Sequence, residues 1–254
     1  MPGQKILFVT TEMSPYQEDS TIAESVNRMA LKMHREGNDV RVLMPRFGPV
    51  SERRFQLHEV IRLSGMNIII NDLDQPLIIK VASLPGERLQ VYFIDNEEYF
   101  KRKAYYLDAE GAPFEDNLER AVFFARGVIE TVKKLNWVPD VIHLNGWMSA
   151  VVLVYLKTFY KKDFYFNNTK LVLSLYNEPD FDFAGSASDV LKFDKIPAEL
   201  SLASVRGTLK AAAGFADVLL QGDEFLEGEI QDAYEASSAQ KGGHLDADAV
   251  SSVY

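Results

Sequence analysis

The first side chains that could do chemistry lie in a polar loop, residues 11–21, which follows the first apolar run of the chain. The loop contains Glu12, Glu18 and Asp19, but it has no glycine and no lysine. Phosphate-binding loops use glycine because the backbone must approach the anion closely, and nearby carboxylates repel a phosphate. The loop therefore predicts a site for a ligand that is not an anionic nucleotide.

The same residues also have a purely structural interpretation. The segment Thr21-Ile22-Ala23-Glu24 fits a capping box, in which the Thr21 hydroxyl accepts from an unpaired N–H and Glu24 reaches back to the cap. The loop would then be the start of a well-capped helix with an acidic first turn. Both interpretations stay open, and Ser20 and Thr21 remain candidate ligand contacts.

Further candidates for a ligand site lie at or directly after two later predicted strands: His143, Asn145, Trp147, Tyr176 and Asn177. Tyr176 could donate to a sugar hydroxyl, and Trp147 could stack on a sugar ring. Each has a structural alternative: an internally bonded histidine at 143, a core tryptophan at 147 and a strand-end cap at 176.

Metal and nucleophile patterns are weak in this sequence. The spacing Asp-x-Asp occurs three times, at 72–74, 180–182 and 246–248, which is unremarkable in an acidic chain because loops favour aspartate. The four histidines are far apart and show no zinc-ligand spacing. No Gly-x-Ser-x-Gly elbow is present. We expect no metal and no cofactor.

The elements that must position the candidates predict an α/β domain. Apolar runs at 5–11, 39–44, 140–144, 170–176 and 218–221 are typical of strands buried in a parallel sheet, and helical stripes separate most of them. The pattern predicts a Rossmann-like, doubly wound, mostly parallel sheet with helices on both faces. Residues 60–94 predict a β-rich insertion of short, mostly antiparallel strands. In such folds ligands bind at the carboxyl ends of the strands.

Length and composition set further bounds. The chain of 254 residues predicts a single domain over 1–230 and a polar, flexible tail over 231–254. A net charge of −10 argues against nucleic acid and anionic membrane as partners. The absence of cysteine excludes disulfides and thiolate chemistry. No signal peptide and no membrane-spanning run is recognisable, so we expect a cytoplasmic protein.

Several stretches together resemble one family, the bacterial glycogen synthases and plant starch synthases. They are residues 6–16, 40–47, 91–96 with 99–100, 116–117 with 119–120 and 123–124, 139–143 with 147, and 216–217. The resemblance implies the N-terminal half of a GT-B fold, in an enzyme that transfers glucose from ADP-glucose to an α-1,4-glucan. It covers only the family's N-terminal domain, and we expect the donor-binding second domain, with its Glu-rich motif, to have no counterpart in this chain.

This chain departs from the family pattern at the motif positions that the resemblance implies for catalysis and donor binding. The family's Lys-x-Gly-Gly aligns with residues 18–21, so Glu18 replaces the lysine. Its His-x-His-Asp-Trp aligns with 143–147, which places Asn145 and Gly146 at the second histidine and the aspartate. Its Thr-Ile-His-Asn aligns with 174–177, where Tyr176 replaces the histidine that contacts the donor sugar. The family residues that remain are Glu12, His143, Trp147 and Asn177.

These substitutions predict a protein of glucan metabolism that has lost catalysis but keeps a carbohydrate-binding crevice, with no catalytic residues of its own. Its expected ligand is an α-glucan or oligosaccharide. Two alternatives stay open. One is an interaction scaffold without a small-molecule ligand, whose protein partner binds where the second domain would pack. The other is one half of a split glycosyltransferase.

Overall fold

The computed structural model describes residues 3–18, 20–183, 187–244, 250 and 252–254. Within these residues the strands are β1 Lys5–Thr10, β2 Asp39–Pro45, β3 His58–Glu59, β4 Met66–Ile70, β5 Leu73–Ser83, β6 Gln90–Asp95, β7 Val141–Asn145, β8 Lys170–Leu175, β9 Val218–Gln221 and β10 Gln240–His244. The helices are α1 Thr21–Arg35, α2 Glu52–Phe55, α3 Glu97–Phe100, α4 Asn117–Lys134, α5 Trp147–Lys157, α6 Ala187–Phe193, α7 Val205–Ala213 and α8 Gly228–Ala236. Short 3₁₀ turns lie at Phe164–Phe166 and Ala198–Leu200.

One sheet organises the domain, in the order β10-β9-β8-β7-β1-β2-β6-β5-β3, with β4 paired to β5. The strands from β10 to β6 run parallel, and β5 and β3 continue the sheet antiparallel. From β1 the chain builds outward through β2 on one side and returns to β7 on the other. The strand order therefore reverses between β1 and β7, which is where doubly wound folds form a ligand crevice.

The central strands are buried on both faces. In β1 every residue from Ile6 to Thr10 is buried, and β7 is buried throughout. Consecutive burial requires that helices cover both sides of the sheet, which explains the unbroken apolar runs of the sequence. The predicted fold class is confirmed.

The β-rich insertion lies at one end of the sheet. Strands β4 and β5 pair antiparallel, and β3 pairs antiparallel with β5. Strand β6 connects the insertion to the parallel sheet, since it pairs antiparallel with β5 and parallel with β2. The last predicted strand of the insertion is thus part of the parallel sheet.

Residues after 232 hold more regular structure than their composition suggests. Ile230 and Tyr234 of α8 are buried, and β10 adds a parallel edge strand to β9. Regular structure therefore continues through residues 233–236 and 240–244, inside the tail predicted over 231–254. Strand pairing uses backbone groups, so the polar, glycine-containing segment joins the sheet without an apolar pattern. The predicted domain limits and tail flexibility stay predictions.

In the part of the chain that the structure describes, no helix combines the length and the apolar character needed to cross a bilayer.

Candidate functional site

A cavity of about 300 Å³ lies at the carboxyl ends of β1, β8 and β9 and at the start of α5. Its described walls combine carboxylates, aromatic rings and small polar groups: Glu12, Glu178 and Asp223; Tyr105, Tyr106, Trp147, Tyr176 and Phe181; Gln17, Ser20, Thr21 and Asn177. This position is the switch-point crevice expected from the topology. We call it the switch-point cavity.

Glu12 forms one acidic wall of the switch-point cavity. The Thr10 hydroxyl donates to the Glu12 carbonyl oxygen at 2.7 Å and so fixes the turn that follows β1. The Ser20 hydroxyl donates to the Glu12 carboxylate. Burial raises the pKa of Glu12 above its usual range, while the bond from Ser20 acts in the opposite direction.

Helix α1 is capped by Ser20, one residue earlier than the sequence predicts. The Ser20 Oγ accepts from the Ala23 N–H at 3.3 Å, and Thr21 is an exposed first helical residue. The predicted capping box at Thr21 is therefore wrong, because the chain is still extended at Ser20 and leaves that hydroxyl facing the first free N–H groups. Both Ser20 and Thr21 nevertheless line the cavity, as expected.

Glu18 does not provide the acidic character of the cavity. It lies outside the cavity wall, and its Oε1 pairs with the Arg54 guanidinium at 3.4 Å on an exposed surface. The attraction to Arg54 on α2 draws the side chain away from α1. Asp19, which carried the same expectation, lies outside the described residues.

Glu178 is the acidic group that sequence reasoning missed. Its Oε2 accepts from the Trp147 N–H at 3.1 Å, at the first residue of α5, and its Oε1 is buried with no partner in the described part of the chain. Burial raises the pKa of Glu178 to about 8; the Trp147 N–H lowers it, and repulsion by Glu12 and Asp223 raises it further. The start of α5, a natural position for an anion, is thus occupied by the protein's own carboxylate.

Asp223 and Asn177 join the loops after β8 and β9. The Asn177 N–H donates to Asp223 Oδ2 at 2.6 Å. The Asn177 side chain accepts from the Glu227 N–H at 2.9 Å and donates to the Phe225 carbonyl at 2.7 Å. Asn177 lines the cavity, as expected, while its amide group is engaged in holding the neighbouring loop.

Tyr176 and Asn145 form a hydrogen-bonded pair. The Tyr176 hydroxyl donates to Asn145 Oδ1 at 3.0 Å, and both residues are buried. The Tyr176 ring packs on the backbone of Gly222, where a Cβ atom would lie 2.1 Å from the ring. Tyr176 lines the cavity, whereas Asn145 lies beneath it and supports the tyrosine. The expectation that Asn145 itself lines the cavity is therefore not met.

His143 does not reach the cavity. It is fully buried, with Nε2 2.6 Å from Ser174 Oγ and Nδ1 bonded to the Tyr254 hydroxyl. Burial lowers the pKa of His143 to about 3, so the imidazole is neutral. The structure supports its structural alternative: β7 extends to Asn145, which places His143 in the middle of the strand and not at its end.

Gly146 joins β7 to α5 with φ of +86°, a conformation that favours glycine. A Cβ atom there would lie 2.5 Å from Thr11 Oγ1. This connection therefore depends on the absence of a side chain at position 146.

Trp147 anchors the aromatic side of the cavity. Its ring is buried and contacts Tyr106, Phe181 and Phe183 at centroid distances of 5.4, 5.8 and 5.1 Å. Its Nε1 donor is buried and has no partner among the residues that the structure describes. Trp147 thus belongs to the core, as its structural alternative predicts, and its side chain also lines the cavity. Whether it stacks on a sugar ring stays a prediction.

The charge and bonding of the cavity define what it can hold. The described wall contains no lysine, arginine or histidine beside its carboxylates Glu12, Glu178 and Asp223. Four polar atoms of wall residues are buried without a partner among the described residues: Trp147 Nε1, Glu178 Oε1, Gln17 Oε1 and the Tyr106 hydroxyl. The described residues form no group of three or more histidine, aspartate or glutamate side chains placed to hold a metal ion. Of the Asp-x-Asp pairs, Asp180 accepts from the Arg206 N–H at 3.0 Å, and residues 246–248 lie outside the described part. The arrangement suits a ligand that donates and accepts hydrogen bonds and carries no negative charge.

Fold and cavity define a Rossmann-like α/β domain with its candidate site at the topological switch point. A family model described as "Starch synthase catalytic domain" matches residues 5–248. The chain belongs to this family.

Curated relatives and a solved structure agree with that assignment. Glycogen synthase from Chlorobium limicola is 36% identical over 174 residues, which cover 68% of this chain and 36% of the relative. Glycogen synthase from Chlorobaculum tepidum is 37% identical over 174 residues, with the same coverage. The catalytic domain of starch synthase IV from Arabidopsis thaliana matches with a TM-score of 0.75 and 17% identity, over 96% of this chain and 52% of that one. The matched region thus spans about a third of the length of the curated relatives.

Proposed function

We propose that this chain is a carbohydrate-binding member of the glycogen and starch synthase family, and that it does not itself transfer glucose from ADP-glucose. The observation that carries the proposal is the switch-point cavity, whose described wall combines aromatic rings with carboxyl, amide and hydroxyl groups and holds no cation. A sugar offers an apolar ring face to aromatic rings and hydroxyls that both donate and accept.

The loss of transfer follows from what a diphosphate donor requires. Catalysis in this fold depends on positioning the donor and stabilising the charge of its leaving group. The family's lysine is replaced by Glu18, and the start of α5 is already occupied by the Glu178 carboxylate. The positions of two family histidines hold Asn145 and Tyr176, which bond to each other. These groups supply no positive charge to a departing ADP.

The comparisons favour a saccharide as the ligand. The matched starch synthase IV domain was bound to ADP and acarbose. We carry over the saccharide component only, because the described wall of this cavity lacks the cations that a diphosphate needs.

Two assays test the proposal on the purified chain. Labelled glucose from ADP-glucose should enter glycogen no faster than with a boiled control, while glycogen synthase from Chlorobium limicola serves as the positive control.

Titration with maltotriose should show saturable binding that Phe181→Ala weakens at least fivefold, because Phe181 lines the cavity. Phe164→Ala, which removes a ring that is 80% exposed and lies outside the cavity, should leave binding unchanged. Turnover, or a flat titration at millimolar maltotriose, contradicts the proposal.

The interaction scaffold remains the second candidate because of one exposed ring beside the site. Phe225 is 73% exposed, and its carbonyl is held by Asn177 at the cavity. An exposed aromatic residue at this edge suits a protein partner. The split-enzyme alternative requires activity after mixing with a separate donor-binding domain, and we expect none.

A further inference from the structure

We infer that Arg120 is a positioning residue for the switch-point cavity. From a fully buried place on α4, outside the cavity wall, it holds the loop that carries one side of the aromatic wall. The inference deepens the proposed carbohydrate-binding function and rests on it for the ligand. It gives α4, which does not itself line the cavity, a part in ligand affinity.

The loop between α3 and α4 contributes three consecutive wall residues, Tyr105, Tyr106 and Leu107. The centroid of the Tyr106 ring lies 5.4 Å from that of Trp147, so the loop extends the aromatic wall that begins at α5. Buried carbonyl groups of a loop lack the regular partners of a helix or strand, and neighbouring side chains must supply them. The place of the Tyr106 ring therefore depends on what bonds this loop.

Arg120 joins the loop to two other segments. Its Nη1 donates to the Tyr105 carbonyl at 2.7 Å and to Asn117 Oδ1 at 2.8 Å, and its Nε donates to the Tyr99 carbonyl at 2.8 Å. The Asn117 side chain in turn donates to the Tyr106 carbonyl at 2.9 Å. Two side chains in the first turn of α4 thus hold the carbonyls of two adjacent wall residues.

The cost of burying Arg120 indicates that these bonds are its role. Its side chain is fully buried, and its three acceptors are neutral oxygens. The nearby Asp116 carboxylate pairs with Arg102 instead. An apolar residue of similar volume would fill the same space without the cost of desolvating a charge. The guanidinium, with five donors in fixed directions, is the side-chain group suited to bond several carbonyls at once.

The test compares the same substitution at two arginines of α4. Arg120→Lys keeps the charge, but a compact ammonium cannot reproduce the spread of the guanidinium donors. Titration of the full chain with maltotriose should show binding weakened about fivefold or more, because a displaced ring loses contact with the sugar.

Arg126→Lys is the matched control. Arg126 donates to the Ile69 carbonyl at 2.6 Å and to Asp194 Oδ1 at 3.2 Å, outside the cavity wall. Its replacement removes comparable bonds from the same helix without touching the loop that carries Tyr106. Maltotriose affinity should therefore stay within about twofold of the wild type.

A double variant separates positioning from a general loss of stability. In a Tyr106→Ala background the wall ring is gone, so Arg120→Lys should weaken maltotriose binding by less than about twofold. Asn117→Asp reaches the same wall by a second route and keeps the test valid where Arg120→Lys does not fold. It retains an acceptor for Arg120 but removes the donor to the Tyr106 carbonyl, and affinity should fall about threefold or more.

A fluorescence measurement needs no ligand. The chain has two tryptophans, and Trp137→Phe leaves Trp147 as the remaining one. Trp137 lies outside the cavity wall, where its Nε1 donates to Asp39 Oδ2 at 2.7 Å. In this background Arg120→Lys should move Trp147 emission to longer wavelength and raise its quenching by acrylamide, because the Tyr106 ring packs against the indole. Arg126→Lys should change neither.

The outcomes separate this inference from the proposed function. Wild-type affinity in Arg120→Lys and Asn117→Asp, or unchanged Trp147 emission and quenching in Arg120→Lys, overturns the inference and leaves carbohydrate binding intact. An equal loss of affinity with and without the Tyr106 ring overturns it as well, since Arg120 would then not act through the wall. If the wild type does not bind maltotriose, the proposed function fails, and the fluorescence of Trp147 still decides whether Arg120 positions the wall.

Discussion

Glu178 accounts for two properties of the site at the residue scale. Its Oε2 accepts from the first N–H of α5, and its Oε1 is buried with no partner among the described residues. A carboxyl oxygen at the start of a helix satisfies one of the N–H groups that have no partner within the helix. The same carboxylate lies among other acids, so its protonation state should govern both local stability and ligand choice.

The variant Glu178→Gln should change how stability depends on pH. The pKa of Glu178 is raised to about 8, above the ordinary value of 4.5, so the folded state holds this proton more tightly than the unfolded state. Its contribution to stability is present below about pH 4.5 and is lost as pH rises through about 8, with a limiting slope of about 1.4 kcal/mol per pH unit. Urea unfolding between these pH values should show wild-type stability falling relative to Glu178→Gln.

The exposed neighbour provides the control for that comparison. Glu224→Gln should follow the wild type throughout the range, because Glu224 is exposed. Parallel curves for the wild type and Glu178→Gln would show that Glu178 is already ionised and solvated in the folded protein.

Gly146→Ala should destabilise the protein by more than its backbone conformation alone explains. Gly146 and Gly111 both have positive φ, at +86° and +83°, but an added Cβ meets Thr11 Oγ1 at 2.5 Å at position 146 and nothing within 4 Å at position 111. We expect Gly146→Ala to cost about 1–3 kcal/mol more than Gly111→Ala in thermal or urea unfolding.

The double variant Thr11→Gly with Gly146→Ala removes the neighbouring hydroxyl. It should recover part of the loss when compared with Thr11→Gly alone, since the two sites are in contact. Equal costs at positions 146 and 111 would mean that Thr11 does not restrict this turn.

At the scale of elements, the start of α1 links helix stability to the cavity. Ser20 caps the helix through the Ala23 N–H and donates to Glu12 in the cavity wall. Thr21 is exposed and lies one residue inside the helix. The two hydroxyls are adjacent in sequence, and among the described residues it is the Ser20 hydroxyl that caps the helix.

Ser20→Ala should therefore lower the free energy of unfolding by about 1 kcal/mol, the usual cost of a lost cap. Thr21→Ala, the matched change one position later, should stay within about 0.5 kcal/mol of the wild type. Chemical denaturation with circular dichroism measures both. A larger loss for Thr21→Ala would restore the capping box that the sequence suggested.

Elements with strong periodicity could be predicted from the sequence, whereas those held by backbone pairing could not. The apolar run of β1 and the stripe of α1 reflect burial, which sequence records directly. Strand β10 has no such pattern because it is an edge strand held by its backbone bonds to β9. The sequence places the N-cap of α1 one residue too late because serine and threonine are both favoured at that position, so residue type alone does not decide between Ser20 and Thr21.

The site was predictable in position but not in composition. The candidates at Glu12, Trp147, Tyr176 and Asn177 do line the cavity, because they follow strands whose ends converge. Glu178 and Asp223 lie one or two residues further on, and extending the search past each strand end would have found them. Glu18 failed as a candidate because its partner, Arg54, is distant in sequence.

At the scale of the whole molecule, fold and family are established more firmly than function. The family model matches residues 5–248, almost the entire chain. The alignment with glycogen synthase from Chlorobium limicola, however, covers 36% of that relative. A shared fold does not fix activity, so function must be argued from the cavity and its charges. The net charge of −10 and the absence of cations from the described cavity wall both disfavour the binding of an anionic sugar donor.

The most direct test of the central claim is a crystal structure of the chain grown with both maltotriose and ADP-glucose at millimolar concentration. The account predicts a sugar ring against the aromatic wall of the switch-point cavity at Tyr106, Trp147 and Phe181, and no phosphate at the start of α1 or α5. A diphosphate bound to the backbone amides at Ser20 and Thr21, with Glu178 displaced from the start of α5, would contradict it.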